Sequence, residues 1–442
     1  MLLAKVLLSK EVNLKLTSLF FCPFFSNLTT YKFYYIIIIQ TKTKRENKMS
    51  IILTKKQEEG LKVSIQRFLD GEKYTVISGY AGTGKSTLVK FITQSLPGID
   101  PNEDVVYATF TGKAAQVLMS KGNKNAMTLH RLLYESIPKP DGTFLRRARS
   151  SIDFPVVVVD EVSMAPIEMM RLLFMHPDIY VICLGDPFQL PPINKDSDNH
   201  LLDNPHVFLD EVMRQAKESE IICMTMDIRD GVKLDDFDGK DVKVYDQSAL
   251  NTGMLLWADQ VICATNKTRT QINNNIRDLL GRGDVPEENE KLICLRNYWD
   301  YWADNGDYLV NGTIGYINNV YASFNVIPYY YGGGTINITR ADFISDTNAN
   351  YGNLQMDTKE ILTGERCLDN KTIYRLTKSR KYAHLVPMEF TYGYCITAHK
   401  AQGSQWGKVL VIEENFPFDN LEHAKWLYTA ATRAIDKLVI VR

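Results

Sequence analysis

Phosphate chemistry is written into the segment Thr75-Val76-Ile77-Ser78-Gly79-Tyr80-Ala81-Gly82-Thr83-Gly84-Lys85-Ser86-Thr87, which has the form G-x-x-x-x-G-K-[ST]. Gly79, Gly82 and Gly84 let the backbone curl so that successive N–H groups point inward, and a helix N-terminus behind the loop adds partial positive charge. Such a cradle suits a polyphosphate. Lys85 is placed to reach the β and γ phosphates, Ser86 to hold a divalent cation through its hydroxyl, and Thr83 and Thr87 complete the binding set. A second chemical signal is Asp160-Glu161, which ends the run Val156-Val157-Val158-Val159. There Asp160 would hold magnesium, and Glu161 would activate an attacking water.

These groups work only if strands and helices hold them in place. Thr75 to Ser78 reads as a buried strand, and Leu88, Val89, Phe91, Ile92 and Leu96 recur at helical spacing after the loop. The valine run lacks alternation, as a parallel strand buried on both faces requires. Its acids fall at the carboxyl end, where an open α/β sheet binds ligand. Val105 to Thr109 predicts another buried strand, opening into Phe110-Thr111-Gly112-Lys113-Ala114-Ala115, where Thr111 and Lys113 could hold a nucleic-acid phosphate. His130 follows in Thr128-Leu129-His130-Arg131. Ile179 to Leu184 predicts a further strand, after which Gln189 would meet the γ phosphate. Upstream, Thr54 is a helix cap, and Gln57 in that helix's first turns could read an adenine edge with both amide groups. Pro138 to Ser151, with Arg146, Arg147 and Arg149, predicts an inserted hairpin, bounded here at about 135–153.

The 442 residues are 45% hydrophobic and 23% charged, enough to bury sizeable cores in two or three domains. Seven scattered cysteines without a C-x-x-C pair suit a reducing compartment and buried packing. Residues 1–48 differ in character: Leu, Phe, Tyr and Ile are frequent, but Lys5, Lys10, Glu11, Lys15, Pro23 and Lys32 interrupt any membrane-length span. We expect a leader translated from upstream sequence, with the working protein beginning at Met49; the competing reading is a membrane or targeting segment. Eight of the 51 basic and two of the 52 acidic residues lie in the leader, so the remainder carries a net charge of −7. Nucleic-acid binding would then need a local groove rather than bulk basicity.

Taken in order, these motifs resemble the superfamily 1 helicases, most closely the RecD-like and Dda-like group that moves 5′ to 3′ on single strands. The carriers are Gly79 to Ser86, Thr111-Gly112-Lys113-Ala114-Ala115, Val159-Asp160-Glu161, Gly185-Asp186-Pro187-Phe188-Gln189, Met213-Arg214-Gln215, Thr397-Ala398-His399-Lys400-Ala401-Gln402-Gly403-Ser404 and Tyr428-Thr429-Ala430-Ala431-Thr432-Arg433-Ala434. The resemblance runs through nearly all of Ile51 to Arg442. It implies an α/β protein of two RecA-like parallel-sheet P-loop NTPase domains, 49–200 and 201–442. The first would carry the hairpin, and the second a small SH3-like β-barrel at about 291–381. Arg214 and Arg433 would reach the γ phosphate from the second domain, while Thr397, His399, Lys400 and Gln402 would lie over the DNA strand or relay its presence to the ATP site. Two departures are Gln405-Trp406, where such proteins commonly have Glu-Phe, and Phe110, where they often have Pro.

The resemblance further implies Mg-ATP as the fuel, and single-stranded DNA and single/double-strand junctions as partners. It also suggests a single-strand binding protein or replisome component as a protein partner, a monomer, and the cytoplasm of a bacterial or phage-infected cell, with no membrane association. Two alternatives stay open: a translocase that strips proteins without appreciable unwinding, and a nucleotide-switched DNA-binding module with negligible turnover. For the leader, intact mass of protein expressed from the native gene is expected to place the N-terminus at Met49. A mass beginning at Met1 would refute that expectation.

Overall fold

The computed structural model describes residues 53–120, 122–138, 144–192, 198–213, 218–304, 308–326, 335–379, 382–415 and 419–442. The expectation about residues 1–48 therefore lies outside the described residues. Helix α1 (Lys55–Leu69) starts at Thr54, whose side chain accepts from the Gln57 N–H while the Gln57 side chain accepts from the Thr54 N–H. This reciprocal capping satisfies two donors that a helix start leaves orphaned. Strand β1 (Tyr74–Gly79) runs through the glycine loop into helix α2 (Lys85–Ser95), as the sequence predicts.

Strands β2 (Val105–Thr109), β3 (Ala126–Thr128), β6 (Val156–Asp160), β7 (Tyr180–Gly185) and β8 (Val207–Leu209) join β1 in a fully parallel sheet of order β3-β2-β6-β7-β1-β8. The valine run explains itself here. Val157 and Val159 face one hydrophobic core, Val156 and Val158 the other, and all four are fully buried. Burying such a side chain contributes roughly 1.5–3 kcal/mol, and alternation on two buried faces leaves no polar position. Helix α3 (Gly112–Ser120) follows β2, and the antiparallel hairpin of β4 (Tyr134–Pro138) and β5 (Phe144–Ala148) projects from this unit. The two strands of this hairpin lie within residues 134–148, and its tip lies outside the described residues. The boundary expected at 200 needs correction: β8 pairs with β1 through Ile77 and Val207, so the first unit takes its edge strand from beyond it.

The second unit begins with α4 (Glu220–Arg229), β9 (Phe237–Asp238), β10 (Val242–Tyr245), β11 (Gln260–Cys263) and α5 (Asn266–Leu279). The chain then leaves for an antiparallel sheet and returns through β19 (Cys395–Thr397), β20 (Trp406–Ile412), α6 (Asn420–Ala431) and β21 (Ala434–Val441). The second sheet has the order β19-β11-β20-β21-β10-β9, parallel except at β9. Its strands again alternate between two buried cores, Val409 and Val411 on one face, Leu410 and Ile412 on the other. Cys263 and Cys395 are buried in the second sheet and Cys183 in the first.

Between them lie β12 (Lys291–Cys294), the short pair β13 (Tyr298–Trp302) and β14 (Tyr308–Leu309), then β15 (Ile314–Val326), β16 (Ile336–Ser345), β17 (Asn350–Asp357) and β18 (Phe390–Tyr392). The larger sheet has the order β17-β16-β15-β12-β18. Its two edges meet where Met356 bridges Met388, and Phe343, Tyr351, Phe390 and Tyr392 fill the interior. The insertion thus extends past the expected limit of 381, because β12 needs β18 as its second partner. Tyr329 to Gly334 lie outside the described residues.

A buried ion pair fastens the insertion to the second sheet. The Arg277 Nε of α5 lies 2.6 Å from Glu290 Oε1, and its guanidinium lies 4.4 Å from the centre of the Tyr392 ring. Arg277→Met is expected to destabilise the protein by about 3–5 kcal/mol, because it strands a buried carboxylate. Urea unfolding at neutral pH, followed by tyrosine fluorescence and circular dichroism, measures this.

Candidate nucleotide site and nucleic-acid seam

The glycine loop has the geometry that its residue types require. Gly82 and Gly84 take φ values of 75° and 79°, where a side chain would be strained. A Cβ at Gly79 would stand 2.7 Å from the Leu209 carbonyl oxygen, so only glycine lets the loop leave β1 beside β8. Lys85 Nζ donates to the Gly79 and Tyr80 carbonyls at 2.7 and 2.9 Å, which holds the cation against the loop. Ser86 is exposed in the first turn of α2, beside Thr87. The Thr83 hydroxyl donates to the Tyr80 carbonyl at 2.8 Å.

Gln57 sits under this loop. Its Nε2 donates to the Thr83 carbonyl at 3.1 Å and lies 3.5 Å from Met213 Sδ, while its Oε1 accepts from the Thr54 N–H. The expectation of an amide wholly free for a base edge is corrected accordingly. Gln57 is fully buried, and a buried amide must spend its groups on protein partners.

Asp160 and Glu161 stand at the carboxyl end of β6. Glu161 occupies the left-handed region, φ 53°, and its N–H donates to Asp160 Oδ1 at 3.0 Å. Burial raises the Glu161 carboxyl above the ordinary carboxylate range; the Arg433 guanidinium and Lys85 pull it down, while Asp160 and Asp186 push it up. Four groups therefore act on one carboxyl, and one of them, Arg433, comes from the second unit. Arg433 is buried and held by the Thr429 carbonyl, the Thr432 hydroxyl and the Ser404 carbonyl, at 3.0, 2.9 and 3.4 Å. Gln189 is buried after β7, and its Oε1 has no hydrogen-bond partner among the described residues. Arg214 lies outside the described residues.

The seam between the units is closely joined. The Leu190 N–H donates to the Thr429 hydroxyl at 3.0 Å, and Gln402 Nε2 donates to the Leu190 carbonyl at 2.9 Å. Gln402 is thus turned toward the first unit, with this amide donor spent on Leu190 rather than on a strand. Tyr428 on α6 accepts from the Ala81 N–H of the loop at 2.8 Å and donates to Asp186 Oδ2 at 2.7 Å. Arg229 on α4 lies 4.2 Å from the centre of the Tyr80 ring.

The remaining nucleic-acid candidates gather along a second stretch of the seam, against the insertion. Thr111 caps α3 by accepting from the Ala114 N–H, and a Cβ at Gly403 would come within 3.0 Å of its hydroxyl. Lys113 is paired with Asp346 of the insertion, so the side chain expected to meet a phosphate has a carboxylate partner instead; a lysine this buried requires one. Lys400 Nζ donates to Asn311 Oδ1 at 2.8 Å, and burial lowers its pKa, as it lowers that of His399. His130 packs between Phe110 and Tyr134, at ring separations of 5.8 and 6.2 Å. Phe110, the departure at this position, is thereby part of an aromatic stack. Thr397 precedes the short helix Ala398–Ala401 without a side-chain cap.

Sequence reading missed Asp186, Tyr428, Arg229 and Asp346 as members of these groups. The first two stood inside recognised motifs and were passed over as markers; the last two carry no local signal.

Residues 53–248 match a family model described as an AAA domain, and residues 392–441 one described as a UvrD-like helicase C-terminal domain. The ATP-dependent RecD2 DNA helicase of Deinococcus radiodurans is 25% identical over 407 residues, covering 87% of this chain and 49% of that protein. The ATP-dependent DNA helicase dda of enterobacteria phage T4 is 26% identical over 250 residues, covering 51% and 56%. MJ1519 of Methanocaldococcus jannaschii, uncharacterized, is 24% identical over 435 residues, covering 83% and 36%. The chain thus spans between about a third and just over half of the length of these relatives. A solved Pif1 helicase from Bacteroides, in complex with ADP-AlF3 and ssDNA, is similar at a TM-score of 0.48 and 17% identity, over 88% of this chain and 92% of that one. The two matched segments stand in helicase order around a parallel-sheet phosphate loop, and the chain is similar to superfamily 1 helicases of the RecD-like and Dda-like group.

Proposed function

We propose that the protein is a DNA helicase that hydrolyses Mg-ATP to move 5′ to 3′ along single-stranded DNA and to part duplex at single/double-strand junctions. The observation that carries this reading is the convergence on Glu161 of Lys85 from the loop and Arg433 from the other unit. A cation that arrives from across the seam can stabilise transition-state charge only while the units are together, which ties hydrolysis to their closure. The names of the RecD2 and dda relatives support the same activity. The division into two motor domains and their insertions, and the monomeric state, belong to this reading. So do a single-strand binding or replisome partner and a cytoplasmic location.

Each residue then has a task. The loop N–H groups and Lys85 bind and orient the phosphates. Glu161, held above the usual carboxylate range by its dry setting, takes the proton of the attacking water. Gln189, with its buried oxygen unpartnered, faces the γ phosphate or that water. The Ser86 hydroxyl and Asp160 carboxylate are the hard oxygen donors that magnesium takes, and they flank the loop. Magnesium held there would neutralise phosphate charge. Thr111, His130, Thr397, His399 and Lys400 line the DNA path, with affinity falling as salt rises. Gln402 relays the state of that path to Leu190.

Steady-state hydrolysis by the full chain, with and without oligo-dT, tests the reading. Stimulation by the oligonucleotide is expected, and Glu161→Gln should lower the stimulated rate at least about 100-fold. Hydrolysis indifferent to DNA would overturn it. The same substitution should not weaken the fold: because folding raises the Glu161 pKa, its protonated form favours the native state, and that benefit is lost as pH rises through the native pKa. The melting temperature of Glu161→Gln relative to the parent should therefore climb with pH above the ordinary carboxylate range. Shortening the β4–β5 hairpin should abolish strand displacement while leaving DNA-stimulated hydrolysis in place; unwinding that survives would show that duplex is parted elsewhere.

A further inference from the structure

The first half of the phosphate loop is held from the second unit. Tyr428 is 1% exposed on α6, yet its hydroxyl stands between two groups of the first unit, accepting from the Ala81 N–H at 2.8 Å and donating to Asp186 Oδ2 at 2.7 Å. Asp186 is itself buried, and its other oxygen accepts from the Phe188 N–H at 3.0 Å. The Phe188 ring meets the Tyr428 ring edge-on, with centroids 5.3 Å apart. The next residue on the helix, Thr429, takes the Leu190 N–H, and Arg229 of α4 covers Tyr80. Ala81 and Phe188 pack with the core of the second unit rather than with either core of their own sheet.

We propose that Tyr428 is a positioning residue that couples the conformation of the phosphate loop to closure of the two units, through its paired bonds to Ala81 and Asp186. A phenol has one proton to donate, and here it is given to a buried carboxylate on the strand-end loop that also carries Gln189. The oxygen is left to accept from the one loop N–H that precedes Gly82. Both bonds form together only when α6 is seated on the first unit. If nucleotide redirects the Ala81 N–H, or moves Asp186, the hydroxyl loses a partner in a dry site, where an unpaired polar group is costly. Conversely, seating of α6 by a strand bound across the units presets the loop. The role differs from that of Arg433, which would meet the reacting phosphate; Tyr428 touches only the loop and its neighbour. The assignment rests on the motor reading above.

The test compares the full chain with Tyr428→Phe, which keeps the ring against Phe188 and removes one oxygen. Two readouts are taken. Hydrogen exchange of the peptide containing Ala81 should quicken by roughly five- to tenfold in the variant, with exchange in the central strands β6 and β7 unchanged. Affinity for a fluorescent non-hydrolysable ATP analogue is then measured with and without saturating oligo-dT. In the parent, DNA should shift this affinity by a factor of roughly 5 to 150, and in Tyr428→Phe the factor should shrink at least about fivefold. Unchanged exchange would mean that the bond to Ala81 is absent in solution and overturn the proposal. So would faster exchange with an intact coupling factor, since Tyr428 would then only pack. Failure of the motor reading shows in a different protein, as a parent chain whose nucleotide affinity does not respond to DNA.

Discussion

A carboxyl in a partly buried cleft beside two other carboxylates is pushed toward its protonated form, and cations that reach it pull it back toward the charged one. Glu161 is in that position, with Asp160 next to it in sequence and Asp186 at the end of the neighbouring strand. Lys85 supplies one cation through the curl of the glycine loop. Arg433 supplies the other, and it belongs to a different sheet. Bringing both cations to one carboxyl means that the carboxyl ends of the central strands of one sheet face a helix and strand junction of the other. Desolvation makes each charge act more strongly, so small separations of the units change the site greatly.

Several polar groups at the seam are satisfied by pairing one unit with the other. Leu190 uses its N–H on Thr429 and its carbonyl on Gln402. Ala81 uses its N–H on Tyr428. Opening the seam would expose these groups to water, and reclosing it would require them to meet again together. The loop proposed to grip phosphate is therefore also a surface on which the second unit rests.

The antiparallel insertion plays the same part for the residues proposed to contact nucleic acid. Its segment from Tyr308 to Asn311 and its Asp346 touch Arg131, Gly112, Lys400 and Lys113. An antiparallel sheet inserted in the second unit thus reaches the helix starts of the first. The buried pair of Arg277 and Glu290 ties the root of that sheet to the helix of the unit that carries it.

Local rules made much of this legible before folding. The glycine spacing required a loop with positive φ at Gly82 and Gly84, the uninterrupted valines required a strand covered on both faces, and Thr54 with Gln57 required a helix start. Each of these is decided by residues within a turn or a strand of one another. The edge strand at Val207–Leu209 and the closing strand at Phe390–Tyr392 were not legible, because a three-residue strand gains its meaning from the partner it pairs with. The sequence by itself determined the chemistry available, a phosphate cradle, two carboxylates and a late arginine. Only the tertiary structure decided that Gln57 and Gln402 are spent on carbonyls, that Lys113 answers to Asp346, and that the Tyr428 hydroxyl lies between Ala81 and Asp186. Those partners are far apart in the chain, and burial, which obliges every polar atom to find one, exists only once the chain has folded.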